Sequence, residues 1–354
     1  MMQKINERIH FCTSYGFPFV VYSKPDSSKV IGIFQGNKKN FTVSSQKNGF
    51  VFAPFDSGKK MLIPEHCSKI VVTDFESTLK PNKTDLELLF SQRDKEHFES
   101  IVQKGIKAIN NGVFGKVVLS RREIIETEIP TPQTIFERLK VNYPNAFCYV
   151  FYHKTGMWAG ATPERLLKKN KNVIETVSLA GTSLYTGKED VNWSEKDIKE
   201  QRIVTDYIKD NLKKHVTDWK ISKTYTHRAG NLLHLKTDIK AKLKLGSSLD
   251  KIVKALHPTP AVCGDDKTKA IEFILENENY SREYYTGYVG EWQRDFETGE
   301  EQTADLFVNL RSMKINEKSF HVFAGCGITK DSIPENEFME TVNKTQTMKK
   351  IIFN

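Results

Sequence analysis

The chain has 354 residues, 38% of them hydrophobic and 27% charged, which is enough apolar material for one large or two modest packed domains. No apolar run approaches the ~18–20 residues of a bilayer crossing, and the polar start Met1-Met2-Gln3-Lys4-Ile5-Asn6-Glu7-Arg8 lacks the apolar stretch of a secretory signal, so a cytoplasmic protein is expected. The formal charge of +9 comes from lysines spread along the whole chain, and it reads as a surface that attracts a small anion and not as a nucleic-acid stripe.

Five scattered cysteines (Cys12, Cys67, Cys148, Cys263, Cys326) show no C-x-x-C spacing, which argues against a zinc cluster or a disulfide framework. From the N-terminus, strands are predicted at Phe17–Tyr22, Val30–Phe34, Phe50–Pro54 and Ile70–Thr73, divided by turn-forming clusters. No linker follows them. Residues 1–95 are therefore read as a variable N-terminal part of one domain spanning 1–354.

A helix is expected over Asp94–Asn110, where Phe98, Ile101, Val102, Ile106 and Ile109 recur at helical spacing before Asn111-Gly112. Next comes a strand signal, Lys116-Val117-Val118-Leu119-Ser120-Arg121. Further strands are predicted at Ala146–His153, Gly156–Ala161, Val173–Leu179, Thr286–Trp292, Ala304–Ile315 and Ser319–Cys326. Helices are predicted at Glu195–Lys214, Lys267–Asn277 and Glu335–Ile352. Long strands in meanders with helices between them point to an α+β fold with antiparallel sheets. A glycine-rich phosphate loop and a G-x-S-x-G elbow are both absent.

Several acids and glycines stand in unusual settings. Glu200 lies in line with Val204 and Tyr207, so it is either an inward carboxylate that needs a metal or partner, or a helix N-terminal acid like Glu195 and Asp197. Gly181, Gly325 and the loop His257-Pro258-Thr259-Pro260-Ala261 each end a strand or helix in a way that allows close backbone approach to a ligand. Together they suggest a pocket for a small anion. Oxygen ligands without Cys or His partners point to magnesium.

Taken together, these motifs resemble the chorismate-utilising enzymes, and within them the isochorismate synthases of menaquinone and siderophore pathways. The match runs over about 96–354. It includes Lys116–Arg121, Gly160-Ala-Thr-Pro-Glu-Arg-Leu-Leu167, Leu179-Ala-Gly-Thr182 and Ser194-Glu-Lys-Asp197 with Glu200. It continues through His257–Ala261, Arg282-Glu-Tyr-Tyr-Thr-Gly287, Val308-Asn-Leu-Arg311, Gly325-Cys-Gly-Ile328 and Glu337-Phe-Met-Glu340 with Lys344. Lysine at 116 resembles the water-using branch, since the amine-using branch generally has glutamine there. Alanine at 180 lacks the lysine typical of aminodeoxychorismate synthases. Cys326 departs from the usual Gly-Ala-Gly; its small polarizable side chain is expected to fit, with some narrowing of the pocket.

The resemblance implies two face-packed antiparallel sheets with helices outside, and a Mg²⁺-dependent conversion of chorismate to isochorismate. Lys116 would be the general base and Glu164 the general acid, with a pKa raised well above the ordinary ~4.3. Glu200 and Glu340 would hold Mg²⁺, with Glu337 as a water-mediated ligand. Arg311 and Lys344 would bind carboxylates, and Gly181, Thr182, His257, Ala261 and Gly325 would line the substrate. Salicylate synthase, which eliminates pyruvate from isochorismate, is the nearest alternative. No membrane, no nucleic acid and no fused amidotransferase are expected, and a monomer is favoured.

Overall fold

The computed structural model describes residues 2–44, 47–82, 86–185, 187, 191–229 and 232–353. The chain opens with α1 (Met2–Tyr15), β1 (Phe19–Ser23), β2 (Lys29–Gln35), β3 (Phe41–Thr42), β4 (Gly49–Ala53), β5 (Met61–Pro64) and β6 (Ser68–Asp74). It continues with α2 (Gln92–Asn110), β7 (Val117–Glu126), α3 (Pro132–Asn142), β8 (Phe147–His153), β9 (Gly156–Thr162), β10 (Arg165–Asn170) and β11 (Val173–Leu184). Then follow α4 (Glu195–Leu212), β12 (Val216–Ile221), β13 (Tyr225–Ala229), β14 (Leu232–Leu243), α5 (Leu249–Leu256) and α6 (Lys267–Asn277). The last elements are β15 (Tyr288–Arg294), β16 (Glu301–Val308), β17 (Ser312–Ile315), β18 (Ser319–Ile328) and α7 (Pro334–Ile352).

Two antiparallel sheets face each other. One runs β6-β2-β1-β8-β9-β17-β18-β7; the other runs β12-β14-β11-β10-β16-β15-β4-β5-β3, with β13 also on β14. Alternating apolar residues on the inner faces interdigitate as sandwich cores do. Tyr22, Phe147, Phe151 and Trp158 from the first sheet meet Phe50, Phe52, Val289 and Phe307 from the second. The Phe147 and Phe307 rings stack at 4.4 Å, and those of Phe52 and Phe151 at 4.2 Å. Each such fully buried aromatic contributes about 1.5–3 kcal/mol relative to exposure. Helices cover the outer faces: α1, α3 and the end of α7 pack on the first sheet, and α4 and α5 on the second. A further cluster joins α2, α6 and α7 to β7 and β18. No helix among the described residues is long and apolar enough to cross a membrane.

The N-terminal strands belong to both sheets, since β1 pairs with β8 and β4 with β15. The α1 helix is absent from the sequence reading because its inward stripe is only Ile5, Ile9 and Cys12 in a polar segment. Helix α2 begins at Gln92, not Asp94, because the Ser91 hydroxyl accepts from Asp94 N.

The predicted single strand Ala304–Ile315 is two strands. β16 lies in one sheet and β17 in the other, and Arg311 takes a left-handed φ of 46° where the chain crosses between them. Side-chain alternation could not reveal the break, because apolar residues continue through it.

Glycine is obligatory at one packing point in β15. Gly290 has φ 143°, and a Cβ there would sit 2.0 Å from the Asp305 carbonyl oxygen of β16. Backbone cannot retreat as a flexible side chain would, so Gly290→Ala should destabilise by about 3 kcal/mol. A urea titration should show this as a lower midpoint at unchanged slope.

Candidate active site

The site lies at one end of the sandwich, where strand ends, two helices and the crossing at Arg311 converge. Lys116 sits immediately before β7. Its backbone N–H donates to Asp265 Oδ1 (2.5 Å), and its carbonyl accepts from Asp265 N (3.1 Å). Two glycines make room for it. A Cβ on Gly264 would lie 2.3 Å from the Lys116 carbonyl oxygen, and one on Gly327 would lie 2.8 Å from Lys116 Cε. The side chain is buried, and its Nζ lies 3.6 Å from Glu200 Oε2. Glu200 projects from the second turn of α4, whose start is held by a Ser194–Asp197 capping box. The Glu200 side chain is largely buried and faces Lys116.

Below Lys116, β7 is clamped by a buried ion pair. Arg282 Nε donates to Glu278 Oε2 at 2.8 Å, and the guanidinium also donates to the Val262 and Val118 carbonyls. Glu278 accepts from both the backbone N–H and the hydroxyl of Ser120. The pair thus reaches β7 at Val118 and Ser120, and removing one partner would strand a buried charge at about 3–5 kcal/mol.

Glu164 lies between β9 and β10. Its carbonyl accepts from Val308 N (2.9 Å) and its N–H donates to Thr162 Oγ1 (3.4 Å), so the turn is pinned to β16. Burial pushes its carboxyl pKa up to about 7, against the opposing pull of Lys344, Arg311 and Lys116. Those same charges place Glu164 in one electrostatic neighbourhood with all three cations. Burial depresses the Arg311 pKa, while Tyr285, Glu340, Tyr143 and Glu164 oppose that effect; an arginine still keeps its charge at neutral pH.

Helix α7 supplies the far wall. Lys344 Nζ donates to the Gly325 carbonyl (2.9 Å) and to Glu340 Oε1 (2.5 Å). Glu337, in the first turn of α7, is buried. A Cβ on Gly325 would lie 2.7 Å from the Leu119 carbonyl oxygen and 3.2 Å from the Tyr285 hydroxyl. Cys326 points the other way, into the cluster with Leu119, Phe338 and Val342, and its Sγ donates to the Glu337 carbonyl. The expectation that it narrows the pocket is therefore corrected: successive strand residues face opposite sides, and the two glycines hold the site side.

Gly181 has φ 73° and sits where β11 shifts register against β14. The side chain of Thr182 lies outside the described residues. Ala261 packs at the edge of the cluster under α5. The His257 ring lies edge-on to Tyr288 (5.0 Å), with Nε2 3.2 Å from the Pro54 carbonyl oxygen. Burial, first, and Lys267 push its pKa down to about 3, so this imidazole is neutral. Its Nδ1 is buried with no hydrogen-bond partner.

Three residues of this region carry no role in the sequence reading. Asp265 holds Lys116 through backbone contacts that no spacing rule reveals. Tyr285 was visible within Arg282–Gly287. His234 lies in β14, whose alternation Leu233, Leu235 … Ile239, Ala241 was a legible strand signal.

A family profile described as chorismate binding enzyme matches residues 57–353. The chain belongs to this family. Among curated relatives, the salicylate biosynthesis isochorismate synthase of Pseudomonas aeruginosa is 29% identical over 271 residues, covering 74% of this chain and 56% of that protein. Anthranilate synthase component 1 of Lactococcus lactis is 27% identical over 274 residues, covering 74% and 58%. The chain thus spans little more than half the length of these two relatives. A solved 2,3-dihydroxybenzoate-specific isochorismate synthase from Bacillus anthracis superposes with a TM-score of 0.78, covering 95% of this chain and 96% of that one at 24% identity, which is a likeness of fold.

Proposed function

We propose that this chain is an isochorismate synthase, which adds water at C2 of chorismate and expels the 4-hydroxyl as water. The observation that carries the reading is the joint placement of Lys116 and Glu164, a buried amine and a carboxyl raised to about 7, in one site with Arg311 and Lys344. Water attacks C2 as Lys116 takes its proton, the ring double bond shifts, and the C4–O bond breaks as Glu164 delivers a proton to the leaving oxygen. Arg311 and Lys344 supply donors for the substrate's carboxylates, Arg311 in a planar fork.

Glu200 and Glu340 are the residues that would hold Mg²⁺. Both are carboxylates inside the site, each held by a lysine that a cation could replace as partner. A cation held by two carboxylates would complete its shell with waters and substrate oxygens. Bound there, Mg²⁺ would anchor and polarise a substrate carboxylate.

Similarity to an anthranilate synthase component favours a second reading, in which ammonia replaces water; lysine at 116 speaks against it. The test is the product profile from chorismate with Mg²⁺ and ammonium, resolved by chromatography. Isochorismate without pyruvate, lost on chelation and restored by Mg²⁺, is the expected result. Salicylate with pyruvate would make the chain a salicylate synthase, and anthranilate would overturn the water-using assignment.

A further inference from the structure

We infer that Asp265 is a positioning residue that fixes the backbone of Lys116 and so keeps the base in register with the loop that carries Ala261. This deepens the isochorismate synthase reading and rests on it for the role of Lys116.

Strand β7 lies at the edge of its sheet, and its ladder with β18 stops at Val117, which pairs with Ile328. Lys116 therefore stands one residue beyond the last rung, where its backbone N–H and carbonyl need partners from outside the ladder. Asp265 provides both. Its Oδ1 accepts the Lys116 N–H, and its own N–H donates to the Lys116 carbonyl at 3.1 Å. A carboxylate that accepts a backbone N–H makes a charge-assisted bond, stronger than a neutral one. Beside it, Val117 bridges Gly264, and Val118 N donates to the Cys263 carbonyl at 2.9 Å.

Asp265 ends the loop that starts at His257 and carries Ala261. Lys267 Nζ donates to the His257 carbonyl at 2.6 Å, and the Arg282 guanidinium ties the Val262 carbonyl to that of Val118. Loop and strand start are thus braced together, and Asp265 is the brace on the backbone of the base itself. Gly115 is shaped by the same contact. It is exposed, and its φ lies outside the left-handed region, so its backbone would admit alanine. The three atoms nearest a Cβ there all belong to Asp265, with Oδ2 in collision. The glycine makes room for this carboxylate, and an alanine would push it off the Lys116 N–H.

Asp265→Ala removes the acceptor, Asp265→Asn keeps an oxygen in its place, and Gly115→Ala displaces it; the double variant Gly115→Ala/Asp265→Ala closes a cycle. The full-length wild type and these variants are compared by steady-state kinetics with chorismate and Mg²⁺, per folded enzyme, and by hydrogen–deuterium exchange mass spectrometry. Asp265→Ala and Gly115→Ala should each lose about tenfold in kcat, with KM shifted less than about threefold and faster exchange over 114–119. Asp265→Asn should stay within about threefold of wild type, and Gly115→Ala should lower kcat no further once Asp265 is alanine. Wild-type kcat in Asp265→Ala, an asparagine variant as impaired as the alanine one, or an equal effect of Gly115→Ala in both backgrounds would overturn the inference. A wild type that makes no isochorismate would sink the functional reading alone, and exchange over 114–119 would still decide whether Asp265 holds Lys116.

Discussion

Lys116→Ala should lower the rate of isochorismate formation by about 10²–10⁴-fold, the span typical of a lost acid–base group. The loss should appear in kcat, with KM for chorismate shifted less than about threefold, because Arg311 and Lys344, the proposed carboxylate-binding groups, are untouched. The geometry leaves few substitutes. The amine is buried, its backbone is held at both N–H and carbonyl by Asp265, and its side chain passes over Gly327, where any Cβ would collide with it. Rapid-quench or continuous assays of chorismate consumption, with direct chorismate titration of the variant, read both quantities. A variant that turns over at near the wild-type rate would remove Lys116 from the reaction.

The second large effect belongs to Glu164. As the proposed general acid Glu164 would act in its protonated form, and its pKa is pushed up to about 7 by burial. Below that pH the acid is present, and as pH rises through about 7 the carboxylate accumulates and the contribution of this group to kcat/KM falls, by itself tending toward tenfold per unit. Glu164→Gln keeps the shape but has no proton to give at any pH. It should lower kcat by about 10²–10⁴-fold, and the residual rate should lose the alkaline limb attributable to residue 164. A pH–rate profile from about 5.5 to 9 on both proteins checks this. An unchanged alkaline limb in Glu164→Gln would assign the limb to another group.

Much of the layout was legible from local patterns. Alternation in Ala146–His153, Gly156–Ala161 and Ser319–Cys326 marked β8, β9 and β18, because half-buried strands place every second residue in the core. The apolar spacing of Phe98, Ile101 and Val102 marked α2 for the matching helical reason. What escaped was low in local contrast. Helix α1 has three buried apolar positions in fourteen residues, and Ala304–Ile315 reads as one strand although it passes from one sheet to the other.

The candidate site divides along the same line. Its residue types and order along the chain are properties of the sequence: Lys116, Glu164, Glu200, Arg311, Glu340 and Lys344, and the glycines that admit a ligand. Which way each side chain points was settled only by long-range pairing. The β7–β18 register turns Gly327 toward Lys116 and Gly325 toward the Tyr285 hydroxyl, and sends Cys326 to the helices. The left-handed step at Arg311 stands where the chain passes from one sheet to the other. A two-for-one mismatch between β11 and β14 brings His234 to Gly181. Sequence periodicity reports the environment of neighbours a few residues apart, whereas these contacts join residues tens to hundreds of positions apart, and their geometry exists only once the two sheets have closed on each other.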